Sequence, residues 1–143
     1  MKKLVMISKE SVFSGHIKCG MAELVDSLDN SLSNDYDVNL IVMDGGSRMP
    51  AATGLLKEIE PGVKTIRFSK VNYYIIDRKL WGIKPIEIIN NLQAEIFHNL
   101  DMPALIKKLT YKPEKTIFTF DSIELANKYA DFIKQYDCVN TNS

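Results

Sequence analysis

Five residues that could do chemistry fall close together in SGHIKCGMAEL (14–24): Gly15, His16, Lys18, Cys19 and Gly20. They follow an apolar run, LVMI (4–7), and open a helical pattern. Two chemistries suit such a set. His16 and Cys19 offer metal ligands, but a structural zinc site needs about four, usually in paired clusters. The chain has two histidines and two cysteines in all, so no metal is expected. Phosphate binding has the better mechanism. Gly15 and Gly20 let backbone come close to a ligand, a helix N-terminus favours an anion, and Lys18 supplies a point charge. No G-x-G-x-x-G or Walker pattern is present, and a plain strand-to-helix turn with a solvated lysine is the other reading. Lys18 and the helix start would lower the Cys19 thiol pKa, but with no base in view a nucleophile is not expected.

Four further positions have two readings each. Asp121 is a base candidate, or the N-cap of a capping box closed by Glu124. His98 lies late in an apolar strand, as a ligand contact or a satisfied core histidine. Asp77 precedes Arg78 and Lys79, so a local ion pair competes with a ligand role. Trp81, the sole tryptophan, anchors a partner or stacks on a sugar, or else packs its loop onto a sheet.

Apolar runs alternating with helical periodicity must position these groups, which is the signature of α/β structure with a largely parallel sheet. KLVMIS (3–8) and VNLIVMD (38–44) read as buried strands. VKTIRFS (63–69) and NYYIID (72–77) read as neighbouring strands, AEIFHNL (94–100) as a short strand and KTIFTF (115–120) as the last. Apolar spacing predicts helices over 21–32, 84–93, 102–109 and 121–136, and a weaker one through Leu55, Leu56 and Ile59. The 102–109 helix has Asp101 as its cap and Pro103 in its first turn. Strand 3–8 should be central, with 38–44 on one side and the 94–100 and 115–120 strands on the other. Residues 1–137 make one domain, and 138–143 a flexible tail.

At 143 residues the chain buries enough surface for an independent core. Eighteen basic and eighteen acidic residues give zero net charge, which argues against a nucleic-acid partner. Cys19 and Cys138 lie far apart and read as free thiols of a reducing cytosol. The apolar stretch of MKKLVMISKE is too short for a signal peptide, and no segment has the length of a membrane span. A cytoplasmic protein is expected.

The ordered motifs carry a resemblance. ISKE (7–10) followed by KCGMAELV (18–25) resembles the S-x-E strand end and K-x-G-G-L loop of bacterial glycogen and starch synthases. YYIID (73–77) resembles their I-Y-L-I-D strand. AEIFHNLDMPAL (94–105) resembles D-V-V-H-A-H-D-W-H-A-G-L, and KTIFTFDSIELA (115–126) resembles K-x-V-F-T-V-H-N-L-A-Y. The resemblance covers nearly the whole chain and implies a compact, three-layer α/β/α Rossmann-like domain, similar to the N-terminal domain of these GT-B glycosyltransferases.

The same resemblance implies site residues. In the family the K-x-G-G loop approaches the diphosphate of ADP-glucose, so Lys18 and Gly20 are the positions carried over. Seven residues lie between Glu10 and Lys18 where the family typically has five, and Met21 replaces the second glycine. Asp121 and Ser122 stand where the family has the histidine and asparagine of H-N-L. His98 and Asp101 survive from H-A-H-D-W-H, while Leu100 and Met102 replace a histidine and the tryptophan. The family's second Rossmann domain, which holds most of the nucleotide, has no counterpart here, and half a cleft neither excludes water nor aligns two substrates. The expectation is a non-catalytic domain that acts on a protein partner, as a viral or accessory protein acts on a host enzyme. The alternatives are a weak binder of ADP-glucose, UDP-glucose or a glucan, and one half of a split glycosyltransferase.

Overall fold

The computed structural model describes residues 1–9, 31–44, 56–68, 70–100, 102–120 and 128–141. They build a mixed α/β fold around one eight-stranded sheet: β1 (Lys3–Ser8), β2 (Asp37–Met43), β3 (Lys57–Glu60), β4 (Val63–Phe68), β5 (Val71–Ile76), β6 (Ile96–Leu100), β7 (Lys115–Phe120) and β8 (Cys138–Thr141). Their spatial order is β3-β4-β5-β2-β1-β6-β7-β8. Strand β1 lies between β2 and β6 and pairs parallel with both, with β7 beyond β6, as the sequence predicts. Strands β2 and β5 also pair in parallel, as do β7 and β8. Only β3–β4 and β4–β5 are antiparallel among the described pairs.

The sequence explains the centre. From Leu4 to Ser8 every residue of β1 is buried, and so is every residue of β2 from Val38 to Val42. A strand apolar on both sides must be covered on both faces, the usual condition of parallel sheets. Side-chain alternation then divides the core in two. On one face Leu4, Met6, Leu40, Val42, Tyr73 and Leu100 cluster, with Leu32, Tyr36 and Leu56 packed against them. On the other face Val5, Ile7, Ile41, Phe97 and Phe118 cluster under helix α1 (Lys84–Leu92) and helix α2 (Ala130–Ile133). Pro85 sits in the first turn of α1, where its missing N–H costs nothing, and Gln93 ends the helix in the left-handed region at φ 48°.

Three expectations are corrected. The weak helix through Leu55, Leu56 and Ile59 is not formed: KEIE (57–60) is strand β3, paired to β4 across a tight turn. Backbone pairing at the sheet edge outweighs a marginal helical pattern. Pro103–Lys108 forms a 3-10 helix, not an α-helix, with Met102 at its N-cap. The reason lies in the carbonyls an α-helix would use: the Asn99 amide donates to Met102 O, and the Tyr136 hydroxyl donates to Pro103 O at 2.8 Å. The tail is not free of the fold, because Cys138–Thr141 extends the sheet as β8. Asp137 locks its entry: the carboxylate accepts from Thr116 N at 2.8 Å and the Asp137 amide donates to Thr116 Oγ1 at 2.9 Å.

The β3–β4 turn depends on Gly62, whose φ is +81° and whose carbonyl accepts from the Asp77 amide at 2.8 Å. A Cβ there would lie 2.5 Å from Leu80 Cδ1 and 3.3 Å from Asp77 Cβ. Gly62→Ala is expected to cost about 1–2 kcal/mol from the left-handed backbone alone. Urea unfolding of the two proteins measures it, and an unchanged midpoint would refute the assignment. Among the described residues no helix is long and apolar enough to cross a membrane.

Candidate ligand site at the carboxyl edge of the parallel sheet

The six parallel strands lie in the spatial order β5-β2-β1-β6-β7-β8. Ranked along the chain, that order is 3-2-1-4-5-6, and its direction reverses between β1 and β6. In open α/β sheets the crevice beyond the carboxyl ends at such a reversal is where ligands bind. The described groups nearest this edge are Ser8 on β1, Asp44 after β2, Asp77 after β5, and His98, Asn99 and Thr119 within β6 and β7.

Two carboxylates stand at neighbouring strand ends. The Asp44 amide donates to Ile76 O at 2.8 Å, which ties the end of β2 to β5. Asp77 accepts from the Lys79 amide through Oδ1 at 3.0 Å and so caps the 3-10 turn Arg78–Leu80. That backbone cap takes the place of the ion pair with Arg78 or Lys79 that the sequence suggests. The ion pairs among the described residues lie elsewhere, at Lys2–Glu114, Lys84–Glu60 and Lys84–Glu87.

His98 is buried, and its Nε2 lies 2.8 Å from Thr119 Oγ1. Thr119 donates its only hydroxyl proton to Asn140 Oδ1 on β8. It therefore accepts from His98, which fixes the imidazole as the Nε2–H tautomer. Burial pushes the His98 pKa down to about 4, so the ring is neutral. A neutral imidazole that donates inward, bridging three strands through one hydroxyl, is built to hold the sheet together.

Asn99, on the opposite face, is equally committed. Its Nδ2 donates to Tyr136 Oη at 2.9 Å and to Met102 O, and its Oδ1 accepts from Met102 N at 3.3 Å. The Tyr136 hydroxyl passes its own proton to Pro103 O at 2.8 Å, and burial raises its pKa. Sequence reasoning did not single out Asn99, Thr119, Asn140 or Tyr136. The signal was present at Asn99 alone, an amide inside the apolar run EIFHNL, where a buried polar group requires a partner.

Trp81 is half-buried and packs against the cluster that contains Phe97 and Phe118. Its Nε1 is buried with no hydrogen-bond partner among the described residues. Cys138 is an exposed free thiol. No group of three or more His, Cys, Asp and Glu among the described residues could hold a metal ion. Lys18, Gly20, Asp121 and Ser122, with His16, Cys19, Asp101 and Glu124, lie outside the described residues. Of the sequence-predicted set, His98 and Asp77 stand on β6 and just after β5, with β2 and β1 between those strands, so the two are not brought into contact across the sheet. No family model, curated protein or solved structure matches this chain.

Proposed function

We propose that this chain is a three-layer α/β/α Rossmann-like domain, related in design to the N-terminal domain of glycogen and starch synthases, that acts in the cytoplasm by binding a protein partner and not by catalysis. The strand order 3-2-1-4-5-6 and the two apolar clusters on opposite faces support the architecture. The observation that carries the functional reading is the commitment of His98, Asn99 and Thr119: these three described polar groups at the carboxyl edge hydrogen-bond to neighbouring strands and turns. A general acid or base needs a lone pair or proton facing a substrate.

The reversal of strand order favours a second reading, a nucleotide-sugar binder using Lys18, Gly20, Asp121 and Ser122, alone or completed by a second chain. An amide chemical-shift titration of the labelled protein with ADP, ADP-glucose, UDP-glucose and a maltooligosaccharide decides between them. Partner binding predicts no shifts in residues 15–22 and 120–123 at millimolar ligand, and a Lys18→Ala protein with the same spectrum response. Clustered shifts at those residues, abolished by Lys18→Ala, would replace the partner reading with the ligand reading.

A further inference from the structure

Two depressions on the sheet face under α1 meet over strand β4. One, of about 540 Å³, is floored by Thr65, Asn72 and Tyr74 and flanked by Lys57 and Arg67. The other, of about 250 Å³, lies between Val63 and the α1 residues Ile88 and Leu92, with Glu60 and Glu87 at its rim. Ile59 and Tyr74 line both. Val63, Thr65 and Arg67 point to the same face of β4, so the joined trough runs along that strand. From Val63 to Arg67 it extends about 13 Å at the strand rise per residue.

The trough has chemical polarity. At its Arg67 end stand two cations, Lys57 and Arg67, neither of which is in an ion pair among the described residues. Arg67 Nη1 donates to Asn72 Oδ1 at 2.8 Å, and Asn72 in turn donates to Asn39 and Asp37, so the guanidinium is held in place by an amide ladder with other N–H groups left over. At the Val63 end Lys84 alone serves two carboxylates, Glu60 at 2.9 Å and Glu87 at 3.0 Å, which leaves one negative charge. Between the ends Ile59 is 58% exposed beside the half-buried Tyr74 ring. An exposed isoleucine next to a tyrosine, flanked by opposite charges, is a desolvation centre with a charged rim.

We infer that this trough is the docking surface for an extended segment of a partner protein that carries an acidic residue, a large apolar residue and a basic residue at every second position. An extended chain repeats one face every two residues, so positions i, i+2 and i+4 reach Arg67, Ile59 with Tyr74, and Glu60 with Glu87. The carboxylates at the Val63 end favour a segment with a basic residue there over a polyanion. This inference rests on the partner-binding reading and supplies the site and chemistry that reading lacks.

The test is selection of phage-displayed random dodecapeptides on the whole protein, followed by affinity measurement on the surface variants Ile59→Lys and Arg67→Glu. The expected result is enrichment of acid-x-apolar-x-base peptides, with affinity reduced at least about tenfold by either variant. A peptide with its acid exchanged for lysine should recover affinity for Arg67→Glu. Selected peptides indifferent to both variants would overturn the trough while leaving partner binding intact. Failure to select any peptide would overturn both. Shifts of the 57–74 amides with maltoheptaose, in place of peptide, would overturn the trough as a protein site and assign it to a glucan.

Discussion

Replacing Phe118 by alanine is expected to cost about 3–5 kcal/mol, the range for emptying a buried aromatic site. Phe118 is fully buried in β7, and its ring lies 5.7 Å from Phe120, 5.3 Å from Tyr136 and 6.4 Å from Tyr129. It joins the sheet to the segment that leads into β8, so the cavity opens where three elements meet. Total stabilities of single domains are about 5–15 kcal/mol, and a loss of this size moves the unfolding midpoint far or abolishes folding at room temperature. Trp81 packs against the same cluster and is the only tryptophan, so its fluorescence reports the transition directly. Phe118→Leu, which keeps most of the volume, should cost well under half as much. Equal losses for the two variants would mean that packing around Phe118 does not hold this face.

The second large effect is acid sensitivity centred on His98. A histidine ordinarily titrates at 6.5, and burial lowers the folded-state value to about 4. The unfolded chain therefore takes up this proton first as pH falls. The contribution of His98 is complete above pH 6.5, declines through the interval from 6.5 to about 4, and is gone below it. A fall from 6.5 to about 4 corresponds to about 3 kcal/mol. Carboxylates titrate over the same range, so the measurement is a difference: urea midpoints of the native protein and His98→Gln at pH 7.5, 5.5 and 4. Glutamine can still donate to Thr119 but does not titrate. The native protein should lose about 3 kcal/mol more than the variant between the extremes, and parallel pH curves would refute the assignment. Chemical shifts should also show the Nε2–H tautomer at pH 7.

Much of the architecture was legible in the sequence. Runs such as LVMI (4–7) and LIV (40–42) have no polar side to offer solvent, so they mark central parallel strands covered on both faces. Helix α1 was legible because Pro85 and its apolar spacing agree on one element. Where local signals conflicted, pattern reading failed. KEIE carries charges on both faces, and its strand exists because β4 offers an edge to pair with. PALIKK has helical spacing, but Asn99 and Tyr136, distant in sequence, take the backbone groups that would have closed α-helical turns. The CVNT segment has no apolar pattern and joins the sheet through the Thr119–Asn140 and Thr116–Asp137 bonds, contacts spanning 21 residues.

The same division holds for the site. Composition and motif order pointed to an α/β domain and named His98, Asp77 and Trp81, because residue types and their neighbours are local facts. What each does was decided by the tertiary structure. His98 became a neutral donor because β7 and β8 place Thr119 and Asn140 in line with it. Asp77 became a cap because the turn after β5 brings the Lys79 amide to it. The trough over β4 has no sequence signature at all, since Lys57, Arg67, Tyr74 and Glu87 come from four elements. The hydrophobic effect acts on residue type and so is visible in sequence, whereas hydrogen-bond direction and surface relief exist only once strands and helices are set against one another.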